Sequence, residues 1–140
     1  MDKIIDILDS IAYEKGLKIT EVEEALKEAL IITAKKMVDE TLTFDAEIDR
    51  KNKQLKLFQK IEVVQDNDKR LSGLEVDEYN NLINKENFIT VTEACEIDPD
   101  LEIGDFMEYE LEFENMGRNA ATILNSNFEY KLQRYLEQTL

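Results

Sequence analysis

Apolar positions Ile4, Ile7, Leu8 and Ile11 recur at three- and four-residue spacing, the stripe of an amphipathic helix predicted over 2–15. Gly16 follows, where glycine suits the left-handed residue that ends a helix. Thr20 and Glu23 form a capping-box pattern, and Val22, Ala25, Leu26, Ala29, Leu30, Thr33 and Met37 continue at helical spacing. Lys35 and Lys36 complement the dipole in the last turn, so a second helix is predicted over 20–38. The short linker makes the pair a helical hairpin. After Glu40 the period changes to two: Leu42, Phe44, Ala46 and Ile48 alternate with Thr41, Thr43, Asp45 and Glu47, as in a strand with one buried face. A turn at 49–53 leads to a second alternating run, Leu55, Leu57, Ile61 and Val63, with Gln59 as its polar interruption. A β-hairpin is predicted.

Residues 66–73 have loop composition, and 75–85 fits either a short helix or irregular structure. Residues 88–92 have strand composition, and 97–104, with the chain's one proline, read as a turn-rich connection. Apolar and acidic residues then alternate strictly from Met107 to Glu114, which predicts a strand with one packed and one solvated face. Ala121, Leu124, Phe128, Leu132, Tyr135 and Thr139 return to helical spacing. A helix over 118–140 would be roughly 34 Å long, and with no capping glycine before Leu140 it is expected to lead into a further module. The fold class expected is α+β: an N-terminal helical hairpin packed on a small, mostly antiparallel β-sheet, followed by a long C-terminal helix. The domain division expected is a head over 1–115 and a connecting helix over 116–140. Ile4, Leu8, Leu26, Leu30, Phe44, Ile48, Leu124 and Phe128 are the expected core, and any of them left exposed would mark a docking patch.

The 140 residues include 32 acidic and 17 basic side chains, for a net charge of −15, with no histidine, no tryptophan and one cysteine. This length suits one compact, acidic folded unit. Cys95 has no partner for an internal disulfide, and without histidine a zinc site would have to be built from carboxylates. The commonest general base at neutral pH is missing, which shifts the balance away from enzymes. No apolar run reaches the length of a membrane span, and the acidic N-terminus lacks the basic stretch of an export signal, so a cytoplasmic, monomeric protein is expected.

Charge is unevenly placed. Ten acids and no base lie between Glu93 and Glu114, whereas Arg50, Lys51, Lys53, Lys56 and Lys60 fall in a stretch without acids. Such an acidic molecule is a poor free-standing nucleic-acid binder, although its basic hairpin could touch phosphates locally. Alternatively, both runs are solvated strand edges that resist aggregation. The segment Asp98–Asp105 superficially resembles a calcium loop, but its glycine falls at the seventh position and Tyr109 stands where a bidentate glutamate is needed. No phosphate-cradling or dinucleotide-binding glycine motif can be assembled, and abundant carboxylates alone do not make a catalytic pair.

Taken in order, Glu24-Ala25-Leu26-Lys27-Glu28-Ala29-Leu30, Thr33-Ala34-Lys35-Lys36, Glu47-Ile48-Asp49-Arg50, Ile103-Gly104-Asp105 and Gly117-Arg118-Asn119-Ala120-Ala121 resemble the N-terminal domain of the bacterial transcription factor NusA across essentially the whole chain. The resemblance implies a non-enzymatic, cofactor-free elongation factor domain. Such a domain binds RNA polymerase at the β-subunit flap near the RNA exit channel and supports pausing, termination and antitermination. It touches the nascent RNA hairpin weakly or indirectly, and RNA-binding S1 and KH modules would follow. Lys35, Lys36, Arg50, Lys51, Lys53, Lys56, Lys60 and Arg118 are the candidate polymerase or RNA contacts. Two readings compete: a free-standing acidic module that mimics nucleic-acid charge, and a carboxylate hydrolase, which would need two acids lining a concave pocket.

Overall fold

The computed structural model describes residues 2–138, with side chains from Ile4 onward; the predicted extension of the last helix through Thr139 and Leu140 lies outside the described residues. The elements are α1 (Asp2–Asp6), α2 (Leu8–Lys15), α3 (Ile19–Met37), β1 (Phe44–Asp49), β2 (Gln54–Val64), β3 (Phe88–Thr90), α4 (Val91–Ile97), β4 (Phe106–Leu111) and α5 (Ala120–Gln138). The fold is α+β, as the hydrophobic periods predict. The described chain forms two compact units. One contains the residues up to Asp39, Phe44–Phe58 and those from Glu110 on, and the other Glu40–Thr43 and Gln59–Tyr109.

In the first unit, the predicted first helix is broken at Ile7, whose amide donates to the Ile4 carbonyl in a tightened turn. The break rotates the stripe: Ile5 and Leu8 are buried, while Ile7 is 49% exposed. Gly16 does end α2, at φ 68°, with its amide turned back to the carbonyls of Ala12 and Tyr13. The cap of α3 lies two residues upstream of the predicted Thr20–Glu23 box. The helix starts at Ile19, so Glu21 is the residue that accepts the Lys18 amide, at 3.0 Å, while Glu23 accepts from Arg50.

Helix α3 packs on β1, α2 and α5. Its buried face, Val22, Ala25, Leu26, Ala29, Leu30, Thr33 and Ala34, alternates small and large side chains, and α5 answers with Ala120, Leu124, Phe128 and Leu132 at four-residue spacing. The small residues let the helix axes approach and the leucines fill the remaining space. Thr33 is buried yet satisfied: its hydroxyl donates to the Ala29 carbonyl at 2.7 Å and accepts from the Asn127 amide of α5 at 3.3 Å. Of the expected core, Ile4 and Ile48 are half-buried and the other six residues are buried.

Strands β1 and β2 form the predicted hairpin across a turn at 50–53, with Phe44, Ala46 and Leu57 buried. In the second unit, the later half of β2 is central. Val63 exchanges hydrogen bonds with Asp105 and Gly104 on the β4 side, both at 2.9 Å, and Glu62, Val63 and Val64 register in parallel with Phe88, Ile89 and Thr90 of β3. Two sequence expectations fail here. Residues 91 and 92 do not extend the strand; they open α4, whose first turn is capped by the Thr90 hydroxyl accepting from the Glu93 amide at 3.1 Å. The alternating run does not continue as a strand to Glu114 either: β4 ends at Leu111, and Phe113–Met116 form a 3-10 turn that buries Met116. Tyr109 on its apolar face stays exposed, so that face packs only in part.

The predicted loop 66–73 contains one 3-10 turn, Lys69–Ser72. Asp68 caps it through the Arg70 amide and also holds the Arg70 guanidinium at 2.9 and 3.0 Å, with the guanidinium lying 4.4 Å from the Phe88 ring centre. The Arg70 side chain, then its backbone amide, lowers the Asp68 carboxyl to about 2, against an ordinary 3.8. A lowered carboxyl stabilises the fold above its ordinary value, and that stabilisation is lost as pH falls from about 4 through about 2. A carboxyl-carbon NMR titration should find the Asp68 midpoint near this lower end, and Arg70→Met should return it toward the ordinary carboxylate range.

Candidate functional site

The first unit carries an open groove of about 590 Å³ between its N-terminal helices and α5. Ile4, Ile7 and Ile11 form one wall, Phe128 and Leu132 the other, and Lys15, Asn125, Glu129 and Gln133 the rim. The turn between α1 and α2 places Ile7 on this wall, 49% exposed. An open groove that mixes apolar walls with a polar rim can receive a protein partner.

The eight cationic candidates do not form one face. Lys35 and Lys36 lie at the C-terminal end of α3, and Gly117 packs there: a Cβ on Gly117 would sit 3.2 Å from the Met37 methyl. This contact brings Arg118 to the same end of α3, a proximity that sequence separation hides. Lys36 and Arg118 are exposed and carry no ion pair among the described residues. Gly117 adopts φ 114° and ψ 170°, a conformation essentially restricted to glycine. Gly117→Ala is therefore expected to destabilise the domain by about 1–3 kcal/mol and to displace Met37 and Arg118, measurable as a lowered thermal midpoint.

Arg50 and Lys53, in the hairpin turn, lie near the opposite end of α3. Arg50 bonds Glu23 at 2.7 Å and Asp9 at 3.4 Å, and Lys53 reaches Asp6 at 3.0 Å, so the β-turn is stitched to α1, α2 and α3. Glu23 is the main reason the Arg50 guanidinium is pushed above its ordinary value. Lys56 lies 3.9 Å from Asp49, whose carboxyl is lowered first by the Asn52 side chain. In the second unit, the Lys60 ammonium stands 4.3 Å from the Phe106 ring centre. Of the five hairpin bases, only Lys51 has no such partner among the described residues. The twelve residues from Glu23 to Lys35 span about 18 Å of helix, which separates the paired hairpin turn from the C-terminal end of α3.

The acidic run is likewise divided. Glu93 and Glu96 lie on α4, whereas the exposed Asp98 and Asp105 close local turns by accepting the amides of Asp100 and Glu102. Glu110, Glu112 and Glu114 line a shallow groove of about 250 Å³ beside Lys56. All three are solvent-exposed, whereas paired-carboxylate hydrolysis needs one acid shielded enough to hold its proton. Among the described residues, no three acidic or cysteine side chains converge as metal ligands, and no helix is long and apolar enough to cross a membrane.

An α+β scaffold offering an open groove lined in part by isoleucines, with the exposed Lys36 and Arg118 at one end of α3, defines a domain suited to docking on macromolecules. The chain belongs to the NusA family: the family model described as the NusA N-terminal domain matches residues 3–137. Two curated relatives, both named transcription termination/antitermination protein NusA and both from Helicobacter pylori strains, J99 and 26695, are each 30% identical over 139 residues, or 99% of this chain. The chain spans about a third of their length, 32%. The solution structure of the NusA N-terminal domain from Bacillus subtilis shares the fold, with a TM-score of 0.62 and 21% identity over 96% of each chain.

Proposed function

We propose that this domain is the polymerase-docking module of a transcription termination/antitermination factor, non-enzymatic and acting in the cytoplasm. It binds RNA polymerase at the flap of the β subunit and supports pausing, termination and antitermination beside the RNA exit channel. The family match over residues 3–137 carries this reading. The groove of Ile4, Ile7, Ile11, Phe128 and Leu132 is the part of the surface best suited to receive an apolar element of the polymerase. Lys35, Lys36 and Arg118 then contact polymerase or emerging RNA. Lys51 adds an exposed charge, while Arg50, Lys53, Lys56 and Lys60 contribute chiefly through the contacts they already make within the domain.

The competing acidic-mimic reading needs a regular row of outward carboxylates, and here the acids are spread over a helix, two turns and a strand. Pull-down with core polymerase separates the two. Retention should be lost when the β flap tip is deleted and should weaken only mildly with salt, because apolar burial is insensitive to screening. Retention independent of the flap would overturn the proposed docking site. Lys36→Glu with Arg118→Glu should reduce hairpin-stimulated pausing while leaving the thermal midpoint unchanged; unaltered pausing would remove these residues from the mechanism.

A further inference from the structure

Within the second unit, where composition left 75–85 undecided between a short helix and irregular structure, residues 74–84 form a small hairpin. Val76 and Leu82 make an antiparallel bridge, and the Ile83 amide donates to the Glu75 carbonyl at 2.9 Å. Its tip is closed by one side chain: an Asp77 carboxylate oxygen accepts the amides of Tyr79 and Asn81 at 2.9 and 3.0 Å, and the Asp77 amide donates to the Asn81 carbonyl. Asn80 takes the left-handed conformation the tip requires, at φ 64°. The base is anchored where the Asn84 and Asn87 amide groups donate to the Thr41 hydroxyl and carbonyl, both at 2.8 Å. The chain thus spends many hydrogen bonds on holding this shape.

The register determines what the shape displays. Bridge partners share one face of a hairpin, so Val76 and Leu82 lie together, with Leu74 two residues before the bridge and Tyr79 at the tip. Leu74 is 82%, Tyr79 77% and Leu82 60% exposed. Glu75, Asp77 and Glu78 are the only charges from Gly73 to Asn84. Rigid presentation of leucine and tyrosine in water is characteristic of an interface anchor.

We propose that the 74–84 hairpin is a second docking surface, and that its partner is a basic amphipathic protein segment. Such a segment would lay apolar side chains on Leu74, Val76, Leu82 and Tyr79 and would set lysines or arginines against Glu75 and Glu78. The charge selects this occupant: three local acids on a chain of net charge −15 repel nucleic acid, anionic lipid and a second copy of the same hairpin. The surface is independent of the polymerase-docking groove, so failure of the flap pull-down leaves this inference standing.

The test titrates the nitrogen-15-labelled chain with a synthetic amphipathic helix of leucine and lysine. Amide shifts should concentrate in residues 74–84. Leu74→Ser with Leu82→Ser preserves charge, touches only exposed side chains and should weaken binding at least about tenfold at an unchanged thermal midpoint. Tyr13→Ser, which removes an exposed aromatic from α2, should leave binding intact. Glu75→Gln with Glu78→Gln should weaken binding and flatten its salt dependence. Shifts concentrated elsewhere, or full affinity in the Leu74/Leu82 variant, would overturn the proposal. So would Leu82-dependent dimerisation in sedimentation equilibrium or Leu82-dependent binding to phosphatidylglycerol vesicles.

Discussion

Leu30→Ala should lower the unfolding free energy by about 2–5 kcal/mol, a large fraction of the roughly 5–15 kcal/mol available to a domain of this size. Leu30 is fully buried on the face of α3 whose central turns carry the core of the first unit. It is flanked one turn away by Leu26 and by Thr33 with its bond to Asn127 on α5. Alanine there removes the transfer free energy of the lost side-chain carbons and leaves a cavity that two packed helices cannot collapse without breaking that bond. Chemical denaturation monitored by far-ultraviolet circular dichroism measures the loss. A change below about 1 kcal/mol would mean that the contact between α3 and α5 is not the main support of the unit.

Ile7→Asp with Ile11→Asp should cost polymerase binding about 2 kcal/mol or more, roughly 30-fold in Kd, with a much smaller effect on folding. Both residues line the groove opposite Phe128 and Leu132, and neither is fully buried in the domain itself. A carboxylate introduced there stays hydrated in the free protein and loses its water only when a partner closes the groove. Binding to core polymerase by fluorescence anisotropy, set beside thermal unfolding of the same variant, distinguishes lost docking from lost fold. Equal affinity in a folded variant would remove the groove from the interface.

Legibility from sequence followed the length of each repeating pattern. Helix α3 could be read within a residue or so at either end because its stripe runs unbroken through five turns, and Gly16 stops α2 by a local rule. The β-hairpin was equally plain, since period two persists on both sides of a charged turn. Where the pattern is short, competing local signals decide: Thr90 and Glu93 cap a helix within what composition presents as strand. The 74–84 hairpin depends on Asp77 folding its carboxylate back onto two amides, a choice no periodicity records.

By itself, the sequence determined the α+β class, the main helices and hairpin, most of the core and the family, because these rest on patterns carried by neighbouring residues. Only the tertiary structure decided how charge and apolar surface are distributed. Arg50 and Lys53 are drawn onto Glu23, Asp9 and Asp6, Gly117 seated on Met37 brings Arg118 to the C-terminal end of α3, and the N-terminal helices and α5 leave a groove between them. The physical reason is range: helical and strand periods act over a few residues, whereas ion pairing and exposure depend on which distant segments packing brings within a few ångströms.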